Sequence, residues 1–358
     1  VDQTLELLKT LTEANGVPGF EREVRLHMEH YLAPLSDELL HDNLGGVVGK
    51  KVGDSNGPRI LIAGHLDEVG FMVTHISEKG FLYFQPIGGW WPHVMLAQRV
   101  RVKGRSGDVI GIIGSKPPHV LNAEDRNKLM PIKDMFIDVG AKDAADVEAM
   151  GVRPGDMVTP VSDFFTMRGG ELLAGKAMDN RAGCAVAVEV LKQLQGEAHP
   201  NVVYSGATTQ EEVGLRGAKT LANLVQPDIA IAVDVGLAYD TPGFDAHPAS
   251  ANVGDGPLML IYDASMVPHV GLRNLIMDTA KEVGIHLQVD AIAGGGTDAG
   301  SFHFSGAGVP SIALGFATRY IHSHTAILAR SDFDQLVTLI AAVVKKLDAA
   351  TVEALKND

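Results

Sequence analysis

Apolar and polar residues alternate along this chain in three successive textures. The opening stretch, VDQTLELLKTLTEANG, spaces its leucines as an amphipathic helix does, and Val24, Leu26, Met28 and Tyr31–Leu32 supply the apolar face of a second helix. DNLGGVVGKK and RILIAG then read as strands separated by the turn GDSNGP. RILIAG is an almost unbroken apolar run, the pattern of a strand buried on both faces. Around Val69 the texture changes to short runs broken by Gly, Pro and Lys-Gly turns, from FMVTHISEKGFLYFQPIGGWW through RVRVKGRSGDVIGIIGS. This predicts a small all-β module, closed by an acidic helix around DAADVEAMG and a returning strand in GVRPGDMVTPVSDF. From Leu172 onward helix and strand patterns alternate: RAGCAVAVEVLKQL, NVVYSGAT, RGAKTLANLV, DIAIAVDV, VGLRNLIMDTAKEVG, HLQVDAI, PSIALGF and FDQLVTLIAAVVKKLDAA.

Alternation of that kind argues for an α/β fold, a mixed sheet flanked by helices. The economical organisation is one α/β domain, residues 1–68 and 163–358, interrupted by an inserted small β domain at residues 69–162. A chain of 358 residues is long enough for two such units. With 46% hydrophobic and 21% charged residues, its composition is that of an ordinary globular protein. The formal net charge of −14 disfavours nucleic-acid phosphates and anionic membranes as partners. No stretch approaches the ~20 apolar residues that span a bilayer, and the first residues lack the basic start and apolar segment of a signal peptide. A single cysteine, Cys184, permits no intramolecular disulfide and fits a reducing, cytoplasmic compartment.

The chemistry-bearing residues collect where the strand patterns end. RILIAG runs into His65-Leu66-Asp67-Glu68, NVVYSGATT into Gln210-Glu211-Glu212, and DIAIAV into Asp234. PSIALGF runs toward Tyr320-Ile321-His322-Ser323-His324, and Asp179 stands just before a helix. Ligands of open α/β sheets bind at the carboxyl ends of the strands. Two imidazoles and three carboxylates are more than one tetrahedral ion needs, and they suit two divalent ions sharing a carboxylate. Mixed nitrogen and oxygen donors favour zinc, cobalt or manganese. Of the pair Glu211-Glu212, one carboxylate can ligate while the other moves a proton. Asp67 is placed to take the ring N–H of His65 and fix its tautomer. The predicted chemistry is hydrolysis, with Glu211 taking a proton from water and passing it to a leaving amine, and with the free N-terminus of the substrate held at the site.

Each residue also has a plainer reading. A histidine at a strand end is more often a surface or satisfied side chain than a ligand, two adjacent glutamates more often a solvated loop, and Asp179 could simply cap its helix. Convergence of all five on one sheet edge favours the functional reading, with His324 as the rival to His322. AGGGTDAG, Gly294 to Gly300, lacks the GK[ST] ending of a phosphate loop. It reads either as a tight turn or as backbone approaching a substrate, with Thr297 and Asp298 near the site. Cys184 lies on an apolar helix face and reads as core, and Trp90-Trp91 as packing or interface residues.

AGHLDEVGFM, KAMDNRAG, TQEEVGLRGA, AVDVG, AGGGTDAG and RYIHSH, in this order over nearly the whole chain, resemble the M42 metallo-aminopeptidases. The sequence looks especially similar to the bacterial glutamyl-aminopeptidase-like and deblocking members. The resemblance implies that His65 and Asp234 bind one metal, that Glu212 and His322 bind the other, and that Asp179 bridges them. It implies Glu211 as general base and Asp67 as the residue orienting His65. It further implies zinc or cobalt, peptide substrates, and a β insertion that mediates dimerisation, with dimers assembling into a dodecamer. Met178 departs from the pattern, where many relatives carry an aromatic residue, but no ligand is missing. Two other functions remain to be weighed. An endoglucanase-type glycoside hydrolase needs two carboxylates and no metal, leaving His65, Asp179 and His322 without a task. A non-catalytic peptide-binding assembly protein would have no need of an intact ligand set.

Overall fold

The computed structural model describes residues 2–244 and 251–357. Eight strands form the main sheet, in the order Glu38–His41, Val47–Val52, Val202–Thr208, Arg59–His65, Ile229–Leu237, Ser311–Thr318, Pro257–Tyr262 and Gln288–Ala291. The four central strands, from Val202–Thr208 to Ser311–Thr318, run parallel, and antiparallel neighbours flank them on either side. Their side chains alternate between two buried faces, as the continuous apolar runs predicted. Ile60, Ile62, Ile231, Val233, Ile312 and Leu314 face the helices Gln3–Glu13, Arg22–Leu32, Met178–Gln193, Val270–Glu282 and Arg330–Lys346. On the opposite face Ala63, Ala230, Ala232 and Ala313 leave room for the closer approach of Arg216–Val225 and Asp298–His303.

The helix Met178–Gln193 seats its first turn directly on the central strand. A Cβ on Gly64 would lie 2.6 Å from the backbone of Gly183 and Cys184, and one on Gly183 would lie 2.2 Å from Asn180 Oδ1. Two glycines facing each other therefore set the distance between this helix and His65. A separate three-stranded sheet pairs Leu172–Gly175 with Phe165–Met167 and Ala326–Ala329, Gly175 lying opposite Ala326. That pairing ties the segment leading into Asp179 to the segment leaving His322.

Between Gly70 and Pro160 the chain forms a closed six-stranded barrel, ordered Gly70–Ile76, Leu82–Ile87, Phe136–Asp138, Gly107–Gly114, Arg99–Gly104 and Met157–Pro160. Phe71, Val73, Leu82, Phe84, Val100, Val102, Ile113, Ile137 and Val158 fill it. Among the described residues, no helix is long and apolar enough to cross a membrane. Several short elements escape the periodicity reading, among them the strands Glu38–His41, Leu172–Gly175, Pro257–Tyr262 and Ala326–Ala329, the helix Asp298–His303 hidden behind a glycine run, and the C-terminal helix Ala349–Leu355.

Candidate active site

Parallel register brings the strand ends level. His65 ends its strand opposite Thr208, and Asp234 stands two residues beyond Ala232, which pairs with Ala63 two residues before His65. Glu211 and Glu212 occupy one turn after Thr208, and Asp179 opens its helix. His65 Nε2 lies 3.2 Å from Asp179 Oδ1, 3.7 Å from Glu211 Oε2 and 3.9 Å from Asp234 Oδ1. On the other side, His322 Nε2 lies 3.3 Å from Asp179 Oδ2 and 3.4 Å from Glu212 Oε2. Three sets of donor atoms are thus close enough to share an ion: His65, Asp179 and Asp234; Asp179, Glu212 and His322; and His65, Glu211 and Glu212. Asp179 offers one oxygen to each histidine. His324, the rival, belongs to none of these sets; its buried ring packs on Trp90 at 5.3 Å.

Several non-glycine residues around the site adopt positive φ: Ala177 (52°), Gln210 (54°), Leu215 (56°), Tyr320 (61°) and His322 (54°). Left-handed backbone at such residues is uncommon and clusters at functional sites.

Asp67 stands beside the His65 ring and also holds a second feature of the site. The backbone carbonyl of Asp67 lies 3.0 Å from His65 Nδ1, whereas the Asp67 carboxylate is 3.6 Å away. That carboxylate also accepts the backbone N–H of Glu211 at 3.1 Å and of Glu212 at 3.0 Å. Its two oxygens hold the turn that carries both glutamates. Glu21, which sequence reading did not single out, braces the same turn: its Oε1 accepts Gly19 N at 2.9 Å and Gln210 N at 3.1 Å.

The site is crowded with buried negative charge. Burial lifts the Glu211 carboxyl well above its usual range, and Asp234, Asp298 and Glu212 lift it further against the pull of His65. Glu212 is raised to about 8 by burial and the Asp179 charge, and Asp234 to about 8 by burial and Asp179. Burial also pushes Asp298 up to about 7. Asp179 goes the other way: although buried, it is held low by its two histidine partners. Burial opposes charge on the histidines, but the neighbouring carboxylates win, raising His65 well above its usual value and His322 to about 9. Glu212 Oε1 and Asp298 Oδ1 are buried without a hydrogen-bond partner.

Behind this centre lies a buried ionic cluster whose members stand in two of the quoted motifs, AGHLDEVGFM and KAMDNRAG, without a role having been read for them. Glu68 Oε1 accepts Lys176 Nζ at 2.6 Å and Arg181 Nη2 at 3.3 Å. Arg181 also donates to the carbonyls of Leu66, Leu11, Ala14 and Gly16, filling its guanidinium with acceptors. These bonds fasten the C-terminal end of the first helix to the segments bearing His65 and Asp179. Cys184 is core, as expected; its thiol donates to the carbonyl of His65 at 3.0 Å and burial pushes it up to about 12. A cavity of about 580 Å³ opens onto the centre, lined by His65, Asp179, Glu211, Glu212, Asp234 and His322 together with the glycine run Gly294–Gly296.

A family model described as M42 glutamyl aminopeptidase matches residues 45–339, and a second, AMPT, matches residues 2–26. The chain belongs to the M42 peptidase family. This M42 peptidase is 36% identical to the glutamyl aminopeptidase of Lactococcus lactis subsp. cremoris over 358 residues, 99% of either protein. Its fold superimposes on a TET aminopeptidase from a marine-sediment Thaumarchaeota archaeon with a TM-score of 0.96, at 45% identity and 99% coverage of both chains. The Pyrococcus horikoshii TET1 peptidase, which can assemble into a tetrahedron or a large octahedral shell, aligns with a TM-score of 0.86 at 29% identity over 96% of this chain and 100% of that one. As an M42 member the protein is an aminopeptidase, a hydrolase of peptide bonds, and its site offers acidic and histidine groups of the kind that hold metal.

Proposed function

We propose that the protein is a two-metal aminopeptidase, with His65 and Asp234 holding one divalent ion, Glu212 and His322 a second, and Asp179 bridging them. The observation that carries this reading is the position of Asp179, with one carboxylate oxygen toward each histidine at 3.2 and 3.3 Å. The surrounding residues fit such a pair of cations. Buried carboxylates held up toward neutrality and an unpartnered oxygen on Glu212 describe a site short of positive charge. The nitrogen and oxygen donor set favours zinc or cobalt. Bound there, divalent ions supply a Lewis acid that acidifies water and polarises a carbonyl oxygen.

The chain's own groups do the rest. Glu211 takes a proton from the attacking water and returns it to the leaving amine, a task its place beside the donor cluster suits, with Oε2 3.7 Å from His65 Nε2. Asp67 positions the Glu211–Glu212 turn through its two amide bonds. The free N-terminus of the substrate is held among the centre's carboxylates, which limits cleavage to the first residue. A glycoside hydrolase would leave His65, Asp179 and His322 without a role, and a non-catalytic scaffold would not need the intact set. Composition and the lone buried cysteine support a cytoplasmic setting. We assign the barrel, within residues 69–162, the role of a dimerisation domain and expect dimers to build a dodecamer; Ile110 and Ile112, about half exposed on its outer face, support this. Glu211→Gln tests the assignment of the base. Turnover should fall by ~10²-fold or more with metal content unchanged, and an unchanged rate would remove Glu211 from that role.

A further inference from the structure

The cavity beside the centre carries information about which N-terminal residue it takes. Beyond the centre itself, its walls are Leu215, Val235, Leu237, Leu260, Ile292 and Ile321. The glycines Gly294, Gly295 and Gly296 contribute backbone and no side chains, which widens the cavity. No lysine or arginine is among the described lining residues. Outside the cluster around Asp179, the only acidic residue among the described lining residues is Asp263, which is buried.

Asp263 is committed to the wall itself. Its Oδ1 accepts the backbone N–H of Ser265 at 2.7 Å and the Ser265 hydroxyl at 2.6 Å, while its Oδ2 accepts the Thr297 hydroxyl at 3.0 Å. Those bonds join the turn after Pro257–Tyr262 to the end of the glycine run. Close packing reinforces the junction, since a Cβ on Gly300 would lie 2.1 Å from Ser265 Oγ. The wall therefore presents apolar side chains, bare backbone and a carboxylate already filled by three donors. An acidic side chain against this wall would lose its water and find no lysine or arginine among the described lining residues, with the Asp263 carboxylate beside it. A lysine would find the Asp263 oxygens already engaged. A branched or unbranched apolar side chain would be buried against leucines and isoleucines.

Resting on the aminopeptidase reading above, we propose that this cavity receives neutral apolar N-terminal residues, of the leucine and methionine class, and rejects glutamate and aspartate. The relative named a glutamyl aminopeptidase thus differs in preference from this chain. The test is a panel of Leu-, Met-, Glu-, Asp- and Lys-p-nitroanilides hydrolysed by the zinc- or cobalt-loaded full-length protein, read as kcat/KM. Leu or Met should exceed Glu by about 100-fold or more. Rates led by Glu, Asp or Lys, or equal for all, overturn the inference while leaving the aminopeptidase intact. Release from no substrate overturns both. A second arm uses Leu237→Arg, a position 38% exposed and able to carry a longer side chain without entering the core. With the variant's circular dichroism unchanged, the Glu-to-Leu ratio of kcat/KM should rise by about 10-fold or more. A ratio that stays put shows that the N-terminal side chain lies elsewhere and overturns the inference.

Discussion

Asp67 accepts two amide N–H groups from the turn it faces, and in doing so it decides where Glu211 and Glu212 stand. The spacing His65-Leu66-Asp67 indicated a partner for the histidine ring, and the ring does meet Asp67, through its main-chain carbonyl. A carboxylate reaching amides 144 and 145 positions later cannot be read from local spacing. Glu21 makes the same kind of long-range bond, and its environment yields a prediction. Burial, with the Asp67 charge adding to it, raises the Glu21 carboxyl from 4.5 to about 7. The folded state therefore holds a proton that the unfolded state releases between those values. Its contribution is fully present below about pH 4.5 and is lost as pH rises through about 7, on the order of 2–3 kcal/mol. Glu21→Gln keeps an acceptor for Gly19 and Gln210 and removes the charge. In urea titrations from pH 5 to pH 8 the variant should gain stability relative to the parent as pH rises; a difference flat with pH would contradict this account. The five proposed ligands were legible as residue types because each terminates a strand pattern or begins a helix. Glu68, Lys176 and Arg181 were not, since a buried ion cluster joins segments whose only common feature is their place in the fold.

Elements with strong periodicity were readable and short ones were not. The long helices Met178–Gln193 and Arg330–Lys346 and the continuous apolar strands followed from pattern alone. Pro257–Tyr262 and Asp298–His303 carry too few residues for a period to show, although the first of them lends Leu260 to the cavity wall. The barrel's alternation shows in Arg99–Gly104, where Val100 and Val102 point inward while Arg99 and Lys103 are exposed. Gly107–Gly114 keeps the alternation of burial but not of polarity, burying Gly111 and Ile113 and leaving the apolar Ile110 and Ile112 outside at 48% and 51% exposure. Apolar side chains on an outward barrel face are the expected mark of association. The double substitution Ile110→Asp/Ile112→Asp spares the barrel interior, so the fold should survive. Sedimentation should then show a species smaller than the parent assembly, whereas an unaltered mass would place the contact on another surface.

At the scale of the whole molecule, the topology explains why residues from five separate segments meet. Parallel central strands place their carboxyl ends on one edge, glycine-to-glycine packing lowers the helix bearing Asp179 onto that edge, and the small three-stranded sheet binds the His322 segment beside it. Alternation of helix and strand announced the sheet, but strand order and the antiparallel neighbours depend on contacts between distant segments and lie beyond periodicity. The arrangement amounts to a carboxylate-rich hollow shared by two histidines, and the central claim is that two cations belong in it. The most direct measurement is metal content against activity, with chelator-stripped protein titrated with Zn²⁺ or Co²⁺ while aminoacyl-p-nitroanilide hydrolysis is followed. The account predicts negligible hydrolysis without metal and full activity at two ions per chain. Full activity in stripped protein, or saturation at a single ion, would contradict it.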